Sequence, residues 1–241
     1  MHQQIPAAHT VGHQTRNDSG WIFSYTRRIL DFRYIAVEGP IAVGKFALTQ
    51  KLASRLDASV ILDETENPFL PDFYSGQTGA AFQAQLFSLL GRHRQQTGLK
   101  QANLFAQLTI SDYLFDKDKI YAYLNLDDNE LFIYQKLFEL LAQEVITPDV
   151  VVYLQMPTDV LRQRARASSA PDELTPGDAY LSELNEAYNH FFFHYNATPL
   201  LVVETSDFDL EWGEQAVDDL IKQLSTMGQG TRYYVPRTAS Q

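Results

Sequence analysis

The residues best suited to chemistry fall first in one short stretch, Glu38-Gly-Pro-Ile-Ala-Val-Gly-Lys-Phe-Ala-Leu48. Gly39, Gly44 and Lys45 have the spacing of a phosphate-binding loop, in which backbone N–H groups and a helix N-terminus face an anion and the lysine adds a point charge. The pattern departs at its last position. Phe46 stands where Ser or Thr normally gives a hydroxyl to the Mg²⁺ that bridges the phosphates, and Ala47 offers no substitute. Thr49 follows on the same face about 5 Å down the helix, too far to replace that ligand.

A second group is acidic. Asp63-Glu-Thr-Glu66 follows the short apolar run Ser59 to Leu62, so its carboxylates sit at a strand's carboxyl end beside the phosphate loop, where open α/β sheets bind ligands. One of them has the position of a general base. In isolation an acidic loop ending in Asn67-Pro68 would be read as merely solvated. Gln85 lies beside the helical stripe Phe82, Leu86, Leu89 and Leu90. Its amide has both a donor and an acceptor for a base edge, although alone it reads as a surface residue. Asp112 is a further acid without an obvious structural use. Arg162, Arg164 and Arg166 share one segment, with charge to clamp phosphates or to complement the end of a helix dipole.

The elements that must position these groups alternate. Tyr34 to Val37 reads as a strand and the segment through Leu48, Leu52 and Leu56 as a helix. Ser59 to Leu62 is the next strand. Helical spacing then recurs in Gly79 to Arg94, in Leu104 to Phe115 and in Asn125 to Leu141, where Asp127 and Asp128 complement the helix start. Pro148 to Gln155 is a near-continuous apolar run of the kind a buried parallel strand shows, and a helix, Asp159 to Arg166, follows it. Asp172 to Tyr195 opens as a Pro/Gly loop and becomes an aromatic helix. Leu200 to Val203, a polar turn at Thr205 to Asp209, and a helix over Gly213 to Met227 complete the pattern. Such alternation predicts an α/β fold, a parallel β-sheet with helices on both faces.

Composition sets the bounds. A chain of 241 residues, 45% apolar and 12% aromatic, supports one substantial core. A net charge of −11 and a pI near 4.9 disfavour a nucleic-acid surface, and no run approaches the roughly 18 apolar residues of a membrane span. Cysteine is absent, which removes disulfides and thiolate chemistry, and without a signal-peptide core the expected location is cytoplasmic. Residues 1–20 are polar and read as a loose tail with solvated His2, His9 and His13. Trp21 to Phe32 is apolar enough to pack on the domain.

Five blocks together, Glu38-Gly-Pro-Ile, Glu66-Asn-Pro-Phe-Leu with Phe73-Tyr74, Ser111-Asp-Tyr-Leu-Phe, Pro148-Asp-Val-Val-Val-Tyr-Leu-Gln and Tyr180-Leu-Ser-Glu-Leu-Asn-Glu-Ala-Tyr, resemble the bacterial deoxynucleoside kinase family, deoxyadenosine/deoxyguanosine kinases among them. The resemblance implies a P-loop kinase domain over 34–236, which leaves an N-terminal extension over 1–33, at least partly disordered by its polar composition, and a short tail over 237–241. It implies transfer of the ATP γ-phosphate, with Mg²⁺, to the 5′-hydroxyl of a deoxynucleoside. Residue by residue, it places Gly39, Gly44 and Lys45 on the phosphates, Gln85 on the base, and Tyr74 and Glu173 on the sugar 3′-hydroxyl. Asp112 matches the acid of an Asp/Glu-Arg-type motif and Arg164 the first lid arginine. The catalytic acid falls on Asp63, with Glu64 an equal candidate. No metal ligand is assigned, and a homodimer is usual in the family, with the helix over Leu131 to Leu141 suited to its interface or, equally, to a place in the core.

The departures cluster on the phosphate side. Phe46 lacks the metal hydroxyl, Ala42 replaces a loop glycine, and Ser168 stands at a lid position usually held by arginine, a charge Arg166 could restore. The ring of Phe46 is expected to fill space over the loop helix. Two functions stay open: a working kinase impaired on its phosphate and Mg²⁺ side, or an inactive pseudokinase that binds nucleosides or proteins. A structural subunit with neither ligand fits the nucleoside-side residues less well.

Overall fold

The computed structural model describes residues 14–17, 20–23, 30–63, 66–102, 108–168, 176–206 and 212–236. Residues 1–31 and 32–241 are two compact units. In the first, Gln14–Asn17 (β1) pairs antiparallel with Gly20–Phe23 (β2), from Gln14 opposite Phe23 to Asn17 opposite Gly20. This ribbon lies largely within the predicted loose tail, and its Thr15, Trp21, Ile22 and Phe23 are residue types that suit strands. His2, His9, His13 and the 237–241 tail lie outside the described residues.

The second unit holds a six-stranded sheet. Its strands are Tyr34–Glu38 (β3), Ser59–Ile61 (β4), Thr109–Ser111 (β5), Val150–Gln155 (β6), Leu200–Glu204 (β7) and Thr231–Tyr234 (β8). They run in the order β4-β5-β3-β6-β7-β8, every neighbouring pair parallel. The helices are Lys45–Leu56 (α1), Leu70–Tyr74 (α2), Ala80–Ala102 (α3), Lys117–Asn125 (α4), Asp128–Ala142 (α5), Thr158–Ser168 (α6), Asp178–Phe193 (α7) and Glu214–Ser225 (α8).

The central strands are buried on both faces, which is why they read as continuous apolar runs. Ala36, Val151, Tyr153, Leu200 and Val202 share one face and pack on Ile120 of α4 and Leu184, Tyr188 and Phe192 of α7. The alternating residues Ile35, Val37, Val152, Leu154, Leu201 and Val203 are equally buried and face the opposite side. There α1 contributes Leu48 and Leu52, and α8, in contact with α1, contributes Val217, Leu220 and Leu224. Among the described residues no helix is long and apolar enough to cross a membrane.

The predicted helix over Leu104 to Phe115 is absent where the structure describes it: Thr109–Ser111 is strand and Asp112 to Asp116 is a turn, while residues 104–107 lie outside the described set. Leu104, Leu108 and Phe115 have helical spacing, but pairing with β3 and β4 claims the central residues. The predicted helix from Asn125 begins instead at Asp128, because Asp127 caps it: its Oδ1 accepts from Asn129 N and Glu130 N at 2.9 Å, and Glu130 returns the bond to Asp127 N. Besides β1, β2 and β5, the elements α2, α4 and β8 have no counterpart in the sequence reading. α4 hid behind Asp116-Lys-Asp-Lys119, whose charges suggest solvent although Lys117 and Asp118 are buried.

Candidate active site

Strand β3 ends in Glu38, and the chain turns through Gly39 to Gly44 before α1 begins at Lys45. Glycine is required at 39: a Cβ there would lie 2.7 Å from the Leu154 carbonyl oxygen and 2.9 Å from Val43 Cγ1. Ala42 adopts φ 65°, a left-handed conformation that costs an alanine free energy. Glu38 is fully buried and ties the loop to its neighbours. Its Oε1 accepts from Gly39 N at 2.8 Å and from Tyr188 Oη at 3.2 Å, and its Oε2 accepts from Leu114 N at 2.7 Å. The Lys45 ammonium donates to the carbonyls of Gly39 (2.7 Å) and Pro40 (3.0 Å). Burial lowers its pKa to about 8.

Beside the loop lies a cluster of charges from four further segments. Asp63, after β4, accepts from Arg92 Nε at 2.7 Å and Nη2 at 3.0 Å, and from Lys117 Nζ at 2.5 Å. Its own backbone N–H donates to Asp112 Oδ1 at 2.6 Å. Arg92 Nη1 reaches Asp118 Oδ2 at 2.6 Å, and Gln85 Nε2 donates to the Asp118 carbonyl at 3.0 Å and to its carboxylate. Arg92 and Lys117 both lie 6.0 Å from the centre of the Tyr113 ring. Burial opposes ionisation of Asp63, but the charges of Lys117 and Arg92 outweigh it and hold the pKa well below the usual carboxylate range. For Asp112 burial prevails and the pKa is raised, despite the hydrogen bond from Asp63 N.

The remaining predicted residues are spread more widely. Tyr74 closes α2, its ring 5.1 Å from that of Phe73, which meets Tyr180 of α7 edge-on at 6.1 Å. Burial raises the Tyr74 pKa. On α6, Arg164 donates to the Thr205 carbonyl at 3.3 Å, Arg162 reaches the Asp178 carbonyl and Ser182 Oγ, and Arg166 reaches the Asp178 carboxylate. Glu64 and Glu173 lie outside the described residues. A cleft of about 640 Å³ between α4 and α7, lined in part by Lys119, Tyr123, His190 and Phe191, contains none of the predicted site residues.

The sequence relationship decides whose machinery this is. The profile of the family described as Deoxynucleoside kinase matches residues 35–228. The chain belongs to the deoxynucleoside kinase family. Deoxyguanosine kinase of Bacillus subtilis (strain 168) is 30% identical to it over 179 residues, covering 73% of this chain and 86% of that protein. The deoxyadenosine/deoxycytidine kinase of the same bacterium is 26% identical over 201 residues, covering 80% and 92%. A solved structure of deoxyadenosine kinase from M. mycoides with bound dATP superposes with a TM-score of 0.64 at 24% identity, covering 79% of this chain and 97% of that one. That likeness speaks for the fold.

Within this deoxynucleoside kinase family chain, the structure brings Gly39, Gly44, Lys45, Asp63, Gln85 and Asp112 to the ends of β3, β4, β5 and the helices that follow. Gln85 is buried, so the surface reading of it fails. Sequence reasoning missed Arg92, Lys117 and Asp118. Arg92 lies seven residues after Gln85 in α3, two turns along the same face, and that spacing was a usable signal. Asp118 and Lys117 were hidden with α4. Phe46 corrects the expectation of a packed ring: it is 58% exposed. Thr49 is fully buried, and its hydroxyl has no hydrogen-bond partner among the described residues. Lys45 Nζ, held against the Gly39 and Pro40 carbonyls, gives the loop a cation of the kind that phosphate oxygens attract. A dedicated Mg²⁺ cage is absent: among the described residues no group of three or more His, Cys, Asp or Glu could hold a metal ion. A Mg²⁺ ion here would arrive with phosphate oxygens and water.

Proposed function

We propose that this chain is an ATP-dependent deoxynucleoside kinase whose phosphate and Mg²⁺ side is weakened. The reading rests on one observation: Lys45, Asp63, Asp112 and Gln85 converge at the carboxyl ends of adjacent parallel strands, where open α/β sheets bind ligands. ATP supplies the phosphoryl group. Gly39, Gly44 and Lys45 cradle the phosphates, Arg164 approaches them from α6, and Tyr74 with Glu173 holds the sugar. Gln85 meets the base. Its amide nitrogen is already committed to Asp118, which leaves Oε1 to accept from a base amino or imino group. Asp63 takes the proton of the 5′-hydroxyl, with Glu64 as the alternative base.

Asp63 can accept that proton only when its oxygens are less tightly paired, because a strongly depressed pKa makes a carboxylate a poor base. This favours, as a second reading, a pseudokinase that binds nucleosides without transferring phosphate. In both readings deoxynucleosides bind and Mg²⁺-ATP binds weakly. A homodimer is in keeping with the family, and Phe132, Ile133 and Leu140, exposed on α5, supply apolar surface for it.

The test pairs calorimetric titration of each deoxynucleoside and of Mg²⁺-ATP with a phosphate-transfer assay. Transfer abolished by Asp63→Asn supports the kinase. Nucleoside binding without transfer supports the pseudokinase. Tight Mg²⁺-ATP binding with no deoxynucleoside heat would overturn both.

A further inference from the structure

The two cations on Asp63 are not equivalent. Arg92 is fixed from both sides, by Asp63 and by the fully buried carboxylate of Asp118. Lys117 is 4% exposed, and its ammonium, with three donors, makes one hydrogen bond among the described residues, to Asp63 Oδ2. Its other contact is the face of Tyr113. A buried ammonium with two donors unused among the described residues is open to a further acceptor, and a phosphate with several charged oxygens satisfies it better than a single carboxylate oxygen does.

Lys117 is also linked to the phosphate loop through the backbone, and its charge is felt at Lys45. Its backbone N–H donates to the Leu114 carbonyl at 3.0 Å, and Leu114 N donates in turn to Glu38, which also holds Gly39 N at the loop's start. The charge of Lys117 adds to the effect of burial in lowering the pKa of Lys45. The groups that face the Asp63 carboxylate are therefore Lys45 from α1, Arg92 from α3, Asp112 after β5, and Lys117 and Asp118 from α4.

We propose that Lys117 is a second phosphate-binding cation, parked on Asp63 while the site is empty and handed to the phosphates when they bind. Asp63 and phosphate compete for one ammonium. Arrival of the phosphates takes one of its two cations from Asp63 Oδ2 and leaves only the longer bond from Arg92 Nη2 there, so that carboxylate basicity and nucleotide are coupled without movement of Arg92. The consequence for catalysis rests on the kinase reading above; the exchange of the ammonium does not.

The test is calorimetric binding of inorganic tripolyphosphate, with neither metal nor nucleoside, at low salt. Lys117→Met is expected to weaken it about tenfold and Lys117→Arg to retain it. Asp63→Asn, which removes the competitor, is expected to tighten it at least about fivefold in the wild-type background but less than about twofold in Lys117→Met, a non-additive cycle. If Lys117 only braces the fold, Lys117→Met changes the thermal melt and leaves tripolyphosphate affinity unaltered. That result, or additive effects of the two substitutions, overturns the proposal. Should Lys117→Met not fold, Asp63→Asn alone decides: no gain in affinity sinks the idea. Because no nucleoside or transfer is read, an inactive protein leaves this outcome intact, and its inactivity is recorded separately by the transfer assay.

Discussion

Three side chains at the phosphate loop lead to separate expectations. Phe46 is exposed, so Phe46→Thr removes little packing and should alter stability by no more than about 0.5 kcal/mol, as for ordinary surface substitutions. It returns a hydroxyl to the first turn of α1, and turnover should rise about tenfold, the effect of roughly 1.4 kcal/mol of transition-state stabilisation. Thermal melts and transfer rates measured together check this, and an unchanged rate in a well-folded variant removes Phe46 as the cause of impairment. Ala42 carries a left-handed backbone, so Ala42→Gly should leave stability level or raise it by up to about 1 kcal/mol, strain relief outweighing the extra freedom of an unfolded glycine. Denaturant midpoints read that directly. Lys45, with its pKa lowered to about 8 by burial, is charged below that pH and neutral above it. Phosphate binding favours the charged form, so tripolyphosphate affinity should fall as pH rises through 8. Binding at or just above pH 8 should take up a proton, seen as a heat that varies with the buffer's ionisation enthalpy. A buffer-independent heat would mean that Lys45 does not meet the anion. These residues were legible because the loop is contiguous. The exposure of Phe46 was not, since the outward direction of a first-turn side chain depends on what packs beside α1.

Among strands and helices, legibility followed burial and capping. β3, β6 and β7 are continuous apolar runs because helices cover both faces of the sheet, and they were read to within about two residues. β5 has three residues, too few to display a period, and flanking leucines imitated a helix. α4 is short and opens with charges that are paired inside the protein, whereas sequence patterns assume charges face water. β8 lies at the sheet edge, where Thr231 and Tyr233 are exposed and the apolar signal is weak. The start of α5 was misplaced by three residues although its signal was present, an Asp with Glu three positions later. That capping box gives an expectation for the element: Asp127→Ala should destabilise the protein by about 1 kcal/mol, within the 0.5 to 2 found for N-caps, through loss of the bonds to Asn129 N and Glu130 N. Nucleoside affinity should not change. A loss of affinity alongside the melt would show that α5 supports the base end of the site more directly.

Across the protein, the cluster of Asp63, Arg92, Lys117 and Asp118 joins the segment after β4 to α3 and α4, which no local sequence pattern could announce. Its members are spread over 55 residues, and only the order of strands in the sheet makes them neighbours. Removing Arg92 leaves Asp118, fully buried, without its cation. Arg92→Met should therefore cost about 3 to 5 kcal/mol at neutral pH, the range for breaking a buried pair from one side. Lys117→Met should cost less, because Asp63 keeps its two bonds from Arg92. The pH dependence separates electrostatics from lost packing. With a depressed folded-state pKa, Asp63 contributes stability that is present above its unfolded value, about 4, and lost as pH falls toward the folded one. In Arg92→Met the carboxylates lose that support and their folded-state pKa values rise, so protonation relieves the uncompensated charge while it removes stability from the wild type. The gap between the two proteins should narrow as pH is lowered from 7 toward 3, as read from denaturant unfolding at each pH. A gap that stays constant would assign the loss to the missing side-chain volume, and the cluster would then be packing that happens to be charged.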